Sequence, residues 1–272
     1  MFKKPEPIRD IIKIYVGCAA NHEDLESQAV LEWSLRKNTK RNLEITWMSL
    51  QDESKYPYSP FSGWDTSTWA TPFSGFRWIV PYLAGYQGKA IYFDSDFIVL
   101  DDIGKLWDQT FSLGKFIMAK GQGHWRVCCS LWNCEMGKKL IPSLGSLKTN
   151  PNSHRDLITK LCRNGTYIQP FRGDWNNLDG KDGKAFKDIQ ALHYTAMESQ
   201  PQLKHALPRL KSEGKSHWYD AATKPHPRKD VQELFDTLLE EAIKNGYPPD
   251  KYKSIEPLGR PYNKRSFSRK RA

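Results

Sequence analysis

A β-branched run that ends in glycine, IIKIYVG (11–17), is followed by a helix-period stretch, HEDLESQAVLEWSLRKN (22–38), and then by another apolar run, EITWMSL (44–50). A strand, a helix and a strand in this order predict a parallel α/β sheet, since parallel neighbours need a crossover connection. Leu25, Ala29, Val30 and Trp33 mark the packed side of the helix. Residues 51–71 are rich in Ser, Pro, Tyr and Trp and read as a long loop over the sheet, and loops of that length tend to serve function.

A helix is predicted from TPFSGFRWIVPYLAGYQGK, with Thr71 as cap, Pro72 at its first position, Pro81 as kink or stop and Gly88 at the exit. FSLGKFIMAK (111–120) and VCCSLWNC (127–134) read as strands. SHRDLITKLCRNG (153–165) reads as a compact helix, capped by Ser153 with Asp156 completing a capping box. YIQP and IQALHYT read as short strands around the loop FRGDWNNLDGKDGKAF. DVQELFDTLLEEAIKNG (230–246) carries one apolar stripe, Val231, Leu234, Phe235, Leu238, Leu239, Ala242 and Ile243, and ends at Gly246. After Pro248 the chain reads as extended, then disordered and basic.

No apolar run approaches the ~18 residues that span a membrane. The start, MFKKPEPIRD, lacks the apolar segment of a secretory signal. Cys18, Cys128, Cys129, Cys134 and Cys162 are odd in number and form no pair of C-x-x-C knuckles, which fits reduced thiols in a cytoplasmic protein. The net charge is +10, but Arg260, Lys264, Arg265, Arg269, Lys270 and Arg271 stand in a stretch (257–272) without a single acid, leaving +4 for the remainder. The expected organisation is an N-terminal extension (1–10), one domain (11–256) and a basic tail (257–272). A charge confined to a tail argues against a nucleic-acid reader, which needs a folded basic face.

The segment AIYFDSDFIVL (90–100) sets Asp94 and Asp96 between two apolar runs. One reading is a turn with Asp chosen for its turn chemistry. The other is a site: ligands of an open α/β sheet bind beyond the carboxyl ends of its strands, and two carboxylates at i and i+2 can converge on a hard cation.

The stretch TPFSGFRWIVPYLAGYQGKAIYFDSDFIVLDDIGKLW, together with LHYTAMESQP (192–201), resembles glycosyltransferase family eight, the glycogenin and lipopolysaccharide-galactosyltransferase group, over roughly residues 11–205. The resemblance implies a GT-A fold, in which a mostly parallel nucleotide-binding sheet flanked by helices merges with a smaller acceptor-binding part. It also implies a nucleotide-sugar donor, of which a UDP-sugar is the family's usual one, and retention of the anomeric configuration. The acceptor would be a saccharide or a lipid-linked saccharide. A divalent cation, manganese or magnesium, would be held by Asp94, Asp96 and His193, with Asp96 the more direct ligand. Val16 and Gly17 would flank the base and ribose, Ser95 and Asn176 the donor, Arg77 the diphosphate or sugar, and Gln200 the place of a diphosphate-binding lysine. A carboxylate assisting the chemistry would be Asp174, before Asp156; same-face attack and double displacement both stay open. Read from the residues alone, His193 is a core histidine and Arg77 a helix surface residue.

The chain departs from the family where Cys18 and Ala19 follow Gly17, leaving Asn21 or Glu23 to meet the base, and where Gln200 precedes Pro201, with Lys204 close but not aligned. Ser130 or Asn133 would replace a polar turn of the relatives. Trp64 and Trp69 read equally as sugar contacts or as packing. A phosphotransferase or nuclease on the same aspartates would need a second acidic motif or a phosphate-cradling loop, and the sequence holds neither. The basic tail reads as a contact with an anionic membrane face or as a solubilising end.

Overall fold

In the predicted strands consecutive residues face opposite ways, and both faces are apolar, so a sheet covered on two sides is required. The computed structural model of the chain describes residues 11–254 and 256–259. Its strands are β1 (Ile12–Gly17), β2 (Leu43–Met48), β3 (Lys89–Asp94), β4 (Phe97–Val99), β5 (Ile117–Gln122), β6 (His124–Asn133), β7 (Ile168–Pro170), β8 (Asn177–Leu178) and β9 (Ala191–His193). The main sheet runs β2-β1-β3-β6-β5-β7, and a small one runs β4-β9-β8. β1 pairs in parallel with β2 and β3, and β7 with β5, while β6 is antiparallel to both of its neighbours. The helices are α1 (Leu25–Asn38), α2 (Val80–Leu83), α3 (Gly104–Trp107), α4 (Cys134–Leu140), α5 (Leu144–Thr149), α6 (Ser153–Leu157), α7 (Leu203–Ser212) and α8 (Lys229–Lys244). This is the mixed α/β architecture, with a mostly parallel central sheet, that the sequence predicts.

Alternation along β3 divides the core. Ala90 and Tyr92 join Phe76, Trp78 and Trp132 on one face. Ile91 and Phe93 join Val16, Leu31 and Leu35 on the other. α1 is covered on its outer side as well, where Leu25, Ala29 and Val30 meet Val231, Phe235 and Leu238 of α8. Each such fully buried apolar side chain contributes about 1.5–3 kcal/mol. The acids of α1 are buried with partners: Glu26 is held by Arg209 at 2.6 Å, and Glu32 by Arg36 at 2.8 Å and the Tyr252 hydroxyl at 2.9 Å.

Several local expectations are corrected. Residues 71–75 form turns, a 3-10 segment covers Phe76–Ile79, and α2 begins only at Val80. Thr71 closes a turn with Ser74, its N–H donating to Ser74 Oγ at 2.9 Å, and does not cap a helix. Pro81 sits in the first turn of α2, where its missing N–H costs nothing. Ser153 donates to Ser146 O and caps nothing, so the capping box with Asp156 is not formed. After Pro248 the chain is not extended but makes a 3-10 turn, Pro249–Ser254, with Tyr252 packed edge-on against Trp47. Leu258 is buried and Gly259 N–H donates to Asn21 Oδ1 at 2.8 Å, so packing continues past Glu256. α7 was not foreseen, because Pro208 interrupts its pattern. The expected N-terminal extension and the tail from Arg260 onward lie outside the described residues. All five cysteines are buried and free. Among the described residues no helix is long and apolar enough to cross a membrane.

Candidate functional site

β3 delivers the D-S-D turn at the carboxyl end of the sheet beside the end of β1: Gly17 is in register with Asp94, and Ser95 N–H donates to Gly17 O at 3.0 Å. Gly17 is fixed by close approach, since a Cβ there would stand 2.5 Å from the Tyr92 hydroxyl. The Val16 side chain is in the core, so this residue can offer a ligand only its backbone.

The two aspartates have different surroundings. Both oxygens of Asp94 receive the Arg77 Nη2, at 2.9 and 3.1 Å, and Oδ1 also takes the Tyr92 hydroxyl at 2.5 Å. Arg77 is itself anchored, donating from Nε to Ser74 O at 2.9 Å, with its guanidinium over the Tyr92 ring. Burial alone would lower its proton affinity, but the Asp94 carboxylate reverses this and holds it above the ordinary value. Burial pushes the Asp94 carboxyl up, and Arg77 opposes that shift. Arg77 is thus a buried partner of the turn rather than a surface residue.

Asp96 accepts the Gln200 amide at Oδ2, 3.1 Å away. Its Oδ1 is buried with no hydrogen-bond partner and lies 3.3 Å from His193 Nε2. His193 is stacked on Phe97, its β4 pairing partner, at 4.2 Å between centroids, and its Nδ1 lies 3.0 Å from Asn176 Oδ1. A proton on Nδ1 donated to Asn176 turns Nε2 toward Asp96. The other end of the Asn176 amide donates to Cys128 Sγ at 3.1 Å. Burial disfavours a charged His193, but the Asp96 carboxylate overcomes this and raises its proton affinity well above the usual value.

Two residues that sequence reasoning missed complete the group. Tyr92 shares a strand face with Asp94 at i+2, a signal hidden because an apolar run predicts only a core tyrosine. Asp24 accepts the Ala19 N–H at 2.7 Å and the Ser95 hydroxyl at 2.9 Å, tying the loop after β1 to the D-S-D turn. Burial pushes its carboxyl up to about 6 against those hydrogen bonds. Nothing in the spacing NHEDLE separates Asp24 from its acidic neighbours.

The structure therefore brings together Gly17, Arg77, Asp94, Ser95, Asp96, Asn176, His193 and Gln200. Asp174 shares no hydrogen bond with them. Its carboxylate is held by Asn177 at 2.9 Å and Lys184 at 2.8 Å, with Lys120 at 3.5 Å. Burial would raise its pKa, and these donors bring it below the ordinary value. Ser130 is tied into β6 by Trp132 and Val127, and Lys204 is paired with Asp236. Trp64 and Trp69 pack edge-on with each other and with Phe76, so both serve the core.

Among the described residues no three His, Cys, Asp or Glu side chains are gathered so as to hold a metal ion. Asp94, committed to Arg77, is what the expected set of three lacks. Asp96 and His193 remain, a buried oxygen without a hydrogen bond and the ring nitrogen that faces it. That pair fits a hard cation that brings its other oxygen ligands with a diphosphate.

A scan against protein-family models and a search of curated proteins found no match. Solved structures do match. The bifunctional glycosyltransferase WbbM matches at a TM-score of 0.53 and 12% identity, over 89% of this chain and 52% of that one. The glycosyltransferase GlyE of Streptococcus pneumoniae TIGR4 matches at 0.53 and 13%, over 88% of this chain and 64% of that one. An active-site mutant of LgtC matches at 0.52 and 11%, over 85% of this chain and 96% of that one. The chain thus spans about half to two thirds of the length of the first two and nearly all of LgtC. What it shares with these glycosyltransferases is their GT-A-like fold.

Proposed function

We propose that this chain is a glycosyltransferase that moves a sugar from a nucleotide-sugar donor, a UDP-sugar by the family resemblance, to a hydroxyl of a saccharide or lipid-linked acceptor, with retention. The observation that carries the reading is the buried Asp96 Oδ1, without a hydrogen bond and facing only His193 Nε2 at 3.3 Å, at the carboxyl end of β3. In the free protein a proton on His193 answers the Asp96 charge, and a cation seated between the two would take that proton's place.

In this reading Asp96 and His193 would hold a manganese or magnesium ion. When bound, the ion neutralises the charge that grows on the departing diphosphate. Gln200 fixes the Asp96 carboxylate from behind, and Asn176 fixes the His193 ring. Arg77 acts through Asp94, setting the turn that carries Ser95 and Asp96, and Asp24 holds Ser95 to the loop after β1. The bond between the donor anomeric carbon and the phosphate oxygen breaks with its electron pair leaving on the diphosphate. The acceptor hydroxyl oxygen forms the new bond on the same face, and its proton passes to a departing phosphate oxygen. Positioning does most of the work in such a step. Asp174, saturated by lysines, is kept as an electrostatic neighbour and not as a nucleophile.

The experiment is release of nucleoside diphosphate from a panel of nucleotide sugars, with manganese, magnesium or chelator. Release with one sugar class, lost in chelator and in Asp96→Asn, supports the proposal. No release with any donor, or equal release from Asp96→Asn, overturns it. The tail is proposed to dwell at an anionic membrane face of the cytoplasm, six cations each worth about 1 kcal/mol there. Equal sedimentation with anionic vesicles after deletion of 257–272 would remove that role.

A further inference from the structure

A cavity of about 620 Å³ opens between α7, α8 and the segment that joins them. This is within the ~300–1,000 Å³ range of small-molecule sites. Leu203, Leu207 and Pro208 of α7 and Pro225 of the joining segment supply its apolar lining. Gln200 lines it too, and the same amide donates to Asp96 Oδ2. One side chain therefore separates the cavity from the carboxylate that faces His193.

The roof is fastened to the same place. His226 lines the cavity and is buried, with Nε2 2.8 Å from Asp179 Oδ2. Asp179 N–H donates to His193 O at 3.1 Å. Lys224 N–H donates to Glu198 O at 2.7 Å, at the segment that leads into Gln200. One end of the cavity is thus tied to β9 and to the D-S-D turn, and the other opens at the surface.

Three lysines and two acids line the cavity, and Glu198, just outside the lining, answers the third lysine. Lys204 pairs with Asp236 at 2.6 Å and Lys224 with Glu198 at 3.5 Å, while Lys229 and Glu233, opposite in sign, stand four residues apart on α8. Such a rim selects no net charge, and the wall selects apolar surface. Resting on the glycosyl-transfer reading above, we infer that this cavity seats the acceptor, and that the acceptor is a neutral glycoside with an apolar aglycone. The aglycone lies on Leu203, Leu207, Pro208 and Pro225, and the sugar is presented past Gln200 toward Asp96.

The test titrates the full chain by calorimetry with octyl β-glycosides of glucose, galactose and N-acetylglucosamine, each below its micelle threshold. The matching methyl glycosides and octyl tetraethylene glycol are the comparisons. At least one octyl glycoside is expected to bind tenfold or more tightly than its methyl glycoside and than the sugar-free octyl chain. Leu207→Asp, in the half-buried wall, and Pro225→Asp, on the exposed roof, should each weaken it tenfold or more. Leu113→Asp, at a fully exposed position, should leave it unchanged. The inference is overturned if both cavity variants bind as the wild type does, or if octyl tetraethylene glycol binds as tightly as every glycoside. Binding of UDP with manganese is read in parallel. Its retention in Leu207→Asp separates the two sites, whereas its absence from the wild type overturns the donor reading and leaves the glycoside titration to judge the cavity.

Discussion

The D-S-D turn, at the end of β9, and the loop 171–184, at its start, both carry buried or half-buried aspartates, and each was a candidate from sequence. They differ in how their charge is answered. Asp174 has an amide and two lysines around it: Lys184 reaches water, while Lys120 is mostly buried and shared with Asp182. Asp94 has one buried arginine, and Asp96 has a histidine beside an oxygen left without a hydrogen bond. A carboxylate with every oxygen bonded holds structure, while a buried oxygen without a hydrogen bond calls for a functional account. The identity of the cation also matters, since arginine cannot shed its charge but histidine can.

The largest expected effect breaks the arginine pair. Arg77→Ala leaves Asp94 buried without its counter-charge, and removing one partner of such a pair costs about 3–5 kcal/mol. Chemical denaturation should show that loss, and Arg77→Ala with Asp94→Asn should recover a large part of it. If Arg77→Ala unfolds at the wild-type denaturant midpoint, the pair does not hold the turn.

The next effect separates the two regions by pH. His154, near Arg77, accepts the Trp78 indole N–H at Nδ1, 2.9 Å away, and burial, aided by the Arg77 charge, pushes its pKa down to about 3. The unfolded imidazole protonates near 6.5, so between pH 6.5 and about 3 the unfolded chain binds the extra proton. Stability must therefore fall as pH drops through that window, by up to about 1.4 kcal/mol per pH unit. His217, pushed down to about 4 by burial, adds a similar slope elsewhere. Asp174 has a shift of the same sign from a different cause: against burial, its lysine and amide donors lower its pKa, and it acts at lower pH. Its lowered pKa adds stability that is intact above about 3.8 and is lost only as pH falls through its folded value. His154→Gln, which keeps an acceptor for Trp78, should flatten stability between pH 6.5 and 4.5. An unchanged slope would show that His154 is charged in the folded state.

Much of this contrast was out of reach of the sequence for a physical reason. The order β1–α1–β2 and the segment β3–turn–β4 follow from periodicity, which is local, and so the fold and the location of the D-S-D turn were legible. The partners of each carboxylate come from distant segments: Arg77 and Tyr92 for Asp94, Gln200 and His193 for Asp96, and the loop after β1 for Ser95 through Asp24. Resemblance supplied His193, Arg77 and Gln200 as residues but not who bonds to whom, and it gave no sign that the Arg77 guanidinium lies on Asp94. Asp24 and Tyr92 had no signal at all. α7 escaped because a proline inside it masks the pattern, and the cavity it lines went unread with it.

A third expectation sharpens the difference between the two aspartates of one turn. Asp96→Asn removes the charge opposite His193, and the ring can then stay neutral, still bonded to Asn176. Stability at neutral pH should fall, because the raised proton affinity of His193 comes from the Asp96 charge, but by less than Arg77→Ala costs. A loss of 3 kcal/mol or more in urea would mean that Asp96 is as structural as Asp94.

The smallest expected effect lies in the other region. Lys184 is half exposed and pairs with Asp174 at 2.8 Å, and Lys120 stands on the other carboxylate oxygen at 3.5 Å. Exposed pairs contribute about 0–1 kcal/mol, because water and salt screen them and the long side chain loses freedom. Lys184→Ala should therefore lower stability by no more than about 1 kcal/mol, and less at high salt, since Asn177 and Lys120 still satisfy Asp174. It should also leave nucleotide-sugar turnover within about twofold. A tenfold fall in turnover with unchanged stability would reverse the comparison, because Asp174 would then be a working carboxylate whose pKa Lys184 tunes. A steep pH dependence of the residual activity, absent from the wild type, would identify that role.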